Sequence, residues 1–522
     1  VTHRDERAPA VPIAGRADVA DLLRGLGLNL GADAAHRLAK ILERDPTHAE
    51  LALFDAMWSE HCSYKSTRHL LKTLPTQAAN VVLGPGADAG VVRLPGPAHA
   101  AAPCIVIAHE SHNHPSQLLP YEGAATGIGG IVRDVYCMGA DVVGVLDVLR
   151  FGDPDGPNAD RVRQIVRGVV DGIAGYGNAL GVPNLGGEIE FDAAFDDNCL
   201  VNVIALGTLR ESEVVPSRAP EAARTLPYVL VLVGKPTDDS GFGGASFASV
   251  ELETDEDTQN RGAVQLPDPF FKRVLTEANH AALGLLRQRG VAFAMKDLGA
   301  AGLGGASSEI AGDLGLALDL DAVHTDTRRP AAVVLVAETQ ERYALCVPED
   351  VADDLLRVYN LDFELGSMVR GAGARVVGRF DASGRFRARQ DGVVHVDVPT
   401  QLVTTPIAVA WPHTPRPAPP PAFVPARADL EARDIAADLR RVMGSIGGAS
   451  RFPVFGHYDS DVQGHTAVRP GDADAGVVVP DRAAPAAVAI ATAGPARLGW
   501  RDAYRAGAGA VCEAARNVAA VG

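Results

Sequence analysis

Apolar residues recur at helical spacing through residues 17–58: Val19, Leu22 and Leu23, then Ala35, Leu38, Ile41 and Leu42, then Leu51, Leu53, Phe54 and Met57. The pattern predicts a small helical N-terminal module over 1–60, with Phe54, Met57 and Trp58 as core residues. From about 80 to 210, short β-type runs alternate with helical ones. Strands are expected at Cys104–Ala108, Val142–Leu149 and Leu200–Leu206, and helices at Gly129–Met138 and Ala159–Leu180. Residues 226–400 repeat the style, with strands near Tyr228–Val233, Val291–Met295, Val333–Val336 and Tyr343–Val347, and helices near Phe271–Gln288 and Ser307–Leu314. Such alternation means an α/β fold or α+β sandwich, divided here into domains 61–212 and 213–405. Pro412, Pro415, Pro417, Pro419, Pro420, Pro421 and Pro425 mark a stiff linker, drawn at 406–440.

Beyond the linker the chain repeats itself. Gly86-Ala-Asp-Ala-Gly-Val-Val92 returns as Ala473-Asp-Ala-Gly-Val-Val478, a shift of 386 residues. Arg133-Asp-Val135 with Gly139 returns as Arg516-Asn-Val518 with Gly522, a shift of 383. A near-constant offset over two separate matches suggests a duplicated domain. The second copy, 441–522, is expected to be incomplete, because it stops at what was only a helix end in the first.

Composition narrows the function classes. A chain of 522 residues is too long for one core. Its formal net charge of −17 argues against nucleic acid or an anionic membrane as the main partner, and no apolar run approaches a membrane span. Cys62, Cys104, Cys137, Cys199, Cys346 and Cys512 are scattered without a C-x-x-C pair, as reduced thiols of a cytoplasmic protein are.

Two dense polar blocks carry the chemistry: Met57-Trp-Ser-Glu-His61-Cys-Ser-Tyr64-Lys-Ser-Thr-Arg68 and His109-Glu110-Ser111-His112-Asn113-His114-Pro115. The second follows a buried-strand pattern. If that strand continued, period-two alternation would aim Glu110, His112 and His114 to one face, with Pro115 ending it. A solvated loop is the bland alternative, and alternate His with a carboxylate also suits zinc. Gly123–Asp134 reads as a Gly-rich turn opening a helix, able to hold phosphate on backbone N–H groups. In Lys296–Glu309 a strand end delivers Asp297 beside a second Gly-rich helix start. Gly186-Gly187-Glu188 is expected as a turn at the same rim, and Asp238–Gly244 as a flexible turn. No G-x-x-x-x-G-K-[ST] sequence is present, which excludes a P-loop. Glu110, Asp134 and Asp297, at separate element ends, supply the hard oxygen ligands that a Mg²⁺–nucleotide site needs.

Taken together, these blocks, with Gln265, Asp268-Pro-Phe270 and Glu338-Thr339-Gln340-Glu341-Arg342, resemble the synthetase subunit of formylglycinamidine ribonucleotide synthase, from residue 50 to about 400. The resemblance implies two tandem copies of a unit related to aminoimidazole ribonucleotide synthetase. It also implies a ligase of purine biosynthesis, in which ATP phosphorylates the amide oxygen of formylglycinamide ribonucleotide and ammonia displaces the phosphate. By the same resemblance Glu110, Asp134 and Asp297 would be Mg²⁺ ligands, His61 and His112 catalytic residues (His112 a general base), and Tyr64 an ATP contact. Ser111, His112, Asn113, His114, Arg133, Gln265, Glu338, Thr339 and Gln340 would hold the ribonucleotide. Ammonia would come from a separate glutaminase subunit, with a small bridging subunit. Two positions depart from the pattern. Ala108 stands where many relatives carry an ATP-contacting Lys, and Ala493 where they carry an ATP-contacting Asp. A non-catalytic binding subunit, or another ATP-dependent synthetase of the same fold, is the alternative.

Overall fold

The computed structural model describes residues 6–522 except 97, 100, 250–261, 413, 415–423 and 481–485. It divides into two compact units. One holds the chain up to Glu110, Ala125–Val142 and Ala205–Ala410, and the other Ser111–Ala124, Val143–Ile204 and Trp411–Gly522. Most prolines of the expected linker lie outside the described residues. Within 406–440, Arg427–Glu431 is helical, and a second helix spans Ile435–Met443.

In the first unit the N-terminal pattern folds as helices Val19–Gly25, Ala32–Leu42 and His48–Met57. The third starts on a capping box: Thr47 Oγ1 accepts from Glu50 N (3.1 Å), and Glu50 Oε2 accepts from Thr47 N (2.9 Å). Phe54, Met57 and Trp58 are core, as their spacing predicts, whereas Ile41 is exposed. β1 (Val81–Leu83), β2 (Gly90–Arg93) and β3 (Pro103–Ser111) pair antiparallel in sequence order.

A seven-stranded sheet organises the rest of this unit. Its strands are β7 (Tyr228–Gly234), β8 (Ala294–Asp297), β9 (Gly315–Asp319), β10 (Arg342–Pro348), β11 (Gly373–Asp381), β12 (Arg385–Gln390) and β13 (Val393–Pro399). The order is β13-β12-β9-β11-β7-β10-β8, antiparallel throughout except for the parallel β12–β9 pair. Every residue of β7 is buried, because both faces of the sheet are covered. Tyr228, Leu230 and Leu232 enter one core with the N-terminal helices and the helices Gly302–Ala311 and Ala331–Val336. Val229, Val231 and Val233 enter another with the helix Pro269–Arg289. Two expectations need correction here. Val333–Val336 belongs to the helix Ala331–Val336, since a short apolar run carries no period that separates strand from helix. The strand expected at Val291–Met295 instead begins at Ala294 and runs on to Asp297.

In the second unit the region Val143–Phe151 of β4 (Asp141–Phe151) runs parallel to β5 (Asn184–Phe191), the helix Ala159–Leu180 connects them, and β6 (Leu200–Arg210) follows in sequence. Gly186, Gly187 and Glu188 lie inside β5 rather than in a turn. The reason is local: a Cβ at Gly187 would stand 1.8 Å from the Asp147 carbonyl oxygen, so only glycine lets the strands approach there. β14 (Thr466–Val468), β15 (Gly476–Val478) and β16 (Val488–Ile490) are antiparallel, with β15 central. The repeated segments fold alike. β2 and β15 are each the middle strand of an antiparallel triplet, and the echoed Arg133 and Arg516 both sit in 18-residue helices, Pro120–Cys137 and Ala503–Ala520. Among the described residues, no helix is long and apolar enough to cross a membrane.

Candidate active site

The first unit brings together residues that stand far apart in sequence. Glu110 lies at the end of β3, Arg133 and Asp134 on the helix Pro120–Cys137, Asp297 at the end of β8, and Glu338–Glu341 just before β10. Antiparallel pairing of β10 with β8 sets Tyr343 opposite Asp297, which places the loop before β10 at the same sheet edge as the carboxylate.

Arg133, 2% exposed, is the hinge of the cluster. Its Nε donates to Asp297 Oδ2 at 3.1 Å, and its Nη1 donates to Gln340 Oε1. Gln265 Nε2 donates to Glu338 Oε2 at 2.6 Å, while Glu338 Oε1 accepts from Ala245 N (2.9 Å) and Ala301 N (3.2 Å). Burial pushes Glu338 up to about 7 against those bonds. Thr339 Oγ1 donates to Asp238 Oδ1 at 2.7 Å, so the Asp238–Gly244 turn is tied to this loop.

Desolvation also raises Glu110 to about 7, with Arg133 opposing and Asp297 adding to the rise. Asp134 stands well above the usual carboxylate range, first from burial and then from Asp297, Glu110 and Asp88, against Lys296. The three acids therefore share one electrostatic neighbourhood. A Cβ at position 130 would lie 2.9 Å from Glu110 Oε2, so Gly130 makes room for that carboxylate. This corrects the reading of Gly123–Asp134 as a phosphate-holding turn. The run lies inside the helix Pro120–Cys137, where glycines serve close approach and the backbone N–H groups beyond the first turn are engaged in helix bonds.

Among the described residues, no three His, Cys, Asp or Glu side chains already stand as a metal-holding group. The chemistry of the donor set nevertheless fits a hard divalent cation. Asp88, Glu110, Asp134 and Asp297 are acidic oxygen donors, faced by Arg133 and Lys296, and their mutual repulsion is what such a cation offsets. Sequence reasoning missed Asp88, Lys296 and Glu309 as members. Lys296 pairs with Asp88 and, at 2.8 Å, with Glu309. The available signal was the lysine next to Asp297.

Tyr64 has a left-handed backbone (φ 49°), and its phenol is raised by burial and then by Glu110. It lines a cavity of about 1690 Å³ with Arg68, Lys72, Asp88, Lys296 and Glu309. His61 lies in the short helix Glu60–Ser63, and its backbone N–H donates to Ser249 Oγ at 3.1 Å. Ser111, His112, Asn113 and His114 belong to the second unit. The alternation expected for Glu110, His112 and His114 is corrected: β3 stops at Ser111, and His112 is the N-cap of the helix Asn113–Leu118, with Pro115 inside it. His112 N donates to Val201 O (2.7 Å), and Asn113 Oδ1 accepts from Val201 N (2.8 Å), which fixes the turn at the strand end.

Three family descriptions match the chain: the formylglycinamide ribonucleotide amidotransferase linker domain over 19–65, the AIR synthase related protein N-terminal domain over 86–209, and its C-terminal domain over 228–388. Fold and site thus define an AIR synthase related protein with a helical linker domain ahead of it. Within that class the chain is similar to PurL, the phosphoribosylformylglycinamidine synthase subunit. It is 48% identical to PurL of Methanothrix thermoacetophila over 507 residues, which is 96% of this chain and 64% of the relative. With PurL of Methanopyrus kandleri the identity is 41% over 491 residues, 92% of this chain and 63% of the relative. The chain therefore spans a little under two thirds of the curated relatives' length. Thermotoga maritima PurL complexed with FGAR matches at TM-score 0.65 and 28% identity, covering 93% of this chain and 71% of that one. The PurLQS structure from the same organism matches at TM-score 0.70 and 29% identity, covering 92% and 70%.

Proposed function

We infer that this chain is the synthetase part of a phosphoribosylformylglycinamidine synthase, a cytoplasmic ligase of purine biosynthesis. The carrying observation is the junction of Glu110, Asp134 and Asp297 with Arg133, which is itself bonded to Gln340. A cation-binding, phosphate-handling edge and a polar loop able to hold a ribonucleotide thereby share one arginine. Thermotoga maritima PurL structures described as complexed with FGAR and with ATP support the two substrates.

The chemical need is to turn an amide oxygen into a leaving group. The glycinamide carbonyl oxygen attacks the γ-phosphorus of ATP, ADP departs, and the amide N–H proton is lost. Ammonia then bonds to the activated carbon, gives up a proton, and the C–O bond breaks to release phosphate and the amidine. Arg133, Gln265, Glu338, Thr339 and Gln340 hold and orient the ribonucleotide. His112 takes the proton released from ammonia, a role suited to imidazole. His61 assists, and Tyr64 contacts ATP. Glu110, Asp134 and Asp297 would hold Mg²⁺, which when bound offsets the charge on the transferring phosphoryl group. Ammonia comes from a glutaminase subunit joined through a small bridging subunit, and the PurLQS assembly of Thermotoga maritima supports partners of this kind.

A second reading, a binding subunit that does not turn over, rests on Ala108 and Ala493. The test is ATP- and ammonia-dependent turnover of formylglycinamide ribonucleotide beside calorimetric binding of the same compound. Turnover that His112→Ala abolishes supports the ligase, and binding without turnover supports the second reading. No binding and no turnover sinks both.

A further inference from the structure

Lys272, in the first turn of the helix Pro269–Arg289, is fully buried and takes no part in the chemistry above. Its Nζ donates to Tyr343 Oη at 2.6 Å, stands 4.7 Å from the Tyr343 ring centroid and 5.8 Å from that of Tyr136, and lies 3.9 Å from Glu341 Oε2. Burying an ammonium is costly, and a well-packed apolar side chain of similar volume is commonly as stable or more so. Desolvation lowers this lysine to about 7 even with Glu341 opposing it. Stability alone does not account for a charge in this place.

Its partner is unusual as well. Glu341 is a non-glycine residue in the left-handed region (φ 61°), a strained conformation that persists only where surroundings impose it. The Glu341 carbonyl accepts from Lys235 N at 3.2 Å and sits so close to Gly234 that a Cβ there would be 2.0 Å away. Glu341 Oε1 accepts from Asp268 N at 3.3 Å, the residue that caps the helix carrying Lys272. On the other side Arg342, also fully buried, donates to Thr339 O (2.9 Å), Ala337 O (2.6 Å) and Thr237 Oγ1 (2.7 Å). The loop 338–341 is therefore held at two points, by Arg342 on the Thr339 carbonyl and by Lys272 through Glu341.

We propose that Lys272 is a positioning residue for the 338–341 loop: its ammonium, bonded to Tyr343 Oη, holds the Glu341 carboxylate inward, and so fixes Glu338, Thr339 and Gln340 in their ribonucleotide-holding arrangement. The inference rests on the function given above for those three residues. It is tested on the full chain with Lys272→Met, Lys272→Arg and Tyr343→Phe. The readouts are calorimetric titration with formylglycinamide ribonucleotide, thermal melting, and amide hydrogen exchange of residues 338–341 without ligand. The expected result is binding weakened about tenfold in Lys272→Met and less in Tyr343→Phe, partly restored in Lys272→Arg, with faster exchange at the loop amides. Unchanged affinity and unchanged exchange in a folded Lys272→Met overturn it. If Lys272→Met fails to fold, Tyr343→Phe decides on the same two readouts. If the unaltered chain binds no ribonucleotide, the proposed substrate fails, and exchange alone judges the positioning role: faster loop exchange sustains it and unchanged exchange ends it.

Discussion

Arg133 and Asp297 meet through an Nε–Oδ2 bond of 3.1 Å in a place where both side chains are nearly inaccessible. The same guanidinium reaches Gln340, so the pair couples an acidic cluster to the 338–341 loop. Removing one member of a buried pair leaves the other without compensation. Arg133→Met is expected to cost about 3–5 kcal/mol of stability, read as a lowered urea midpoint. Arg133→Lys restores the charge but cannot span both partners, so its ribonucleotide affinity stays low in calorimetry. Wild-type midpoint and affinity in Arg133→Met contradict the linking role.

Divalent cation should stabilise the chain through Glu110, Asp134 and Asp297. Melting temperature is expected to rise on adding Mg²⁺ and fall back with EDTA, the added stability being about 2.7 kcal/mol at a hundredfold excess over Kd. Asp134→Asn should abolish the response while leaving metal-free melting unchanged or higher, since it removes one of several mutually repelling carboxylates. An undiminished Mg²⁺ response in that variant removes Asp134 from the ligand set.

His324 gives the chain a pH dependence of defined sign. Burial, and then Arg375 and Arg342, lower it to about 4, while its Nε2 bonds to Gly234 O at 3.1 Å. Above the ordinary histidine value of about 6.5, the side chain is neutral in both folded and unfolded chains and contributes no slope. As pH falls from there toward 4, only the unfolded chain takes up the proton. Stability from this group is therefore lost at about 1.4 kcal/mol per unit at most, and the loss levels off below 4. Urea midpoints for the chain and for His324→Gln across pH 4–7 should converge at the acid end. Parallel curves exclude the histidine as the source.

The capping box at Thr47 sets the start of a helix buried along nearly all its length. Thr47→Ala is expected to cost about 1–2 kcal/mol by chemical denaturation, because the Glu50 N–H loses its acceptor and the His395 carbonyl loses its donor. Thr47→Ser, which keeps the hydroxyl, should recover most of it. Equal losses in both variants would mean that the methyl group, not the cap, is responsible.

Much of this architecture was legible in the residue order, and the exceptions share a cause. The Tyr228–Val233 run reads as a strand because β-branched and large residues alternate without interruption, and β7 covers it. Val333–Val336 looks the same over four residues yet is helical, Pro330 standing at the N-cap, because so short a run fits either period. Acids Glu110, Asp134 and Asp297 could be picked out by company, since each sits in a polar block too dense for core. Lys272 and Asp88 could not. Their meaning comes from partners 71 and 208 positions away, Tyr343 and Lys296, and nothing local announces such pairings.

β7 has a mechanical consequence for its unit. Alternate side chains of one seven-residue strand anchor helices above and below the sheet, so neither layer can peel away while the other persists. Heating should melt this part of the molecule in one calorimetric event, and Val231→Asp, aimed at one layer, should release both.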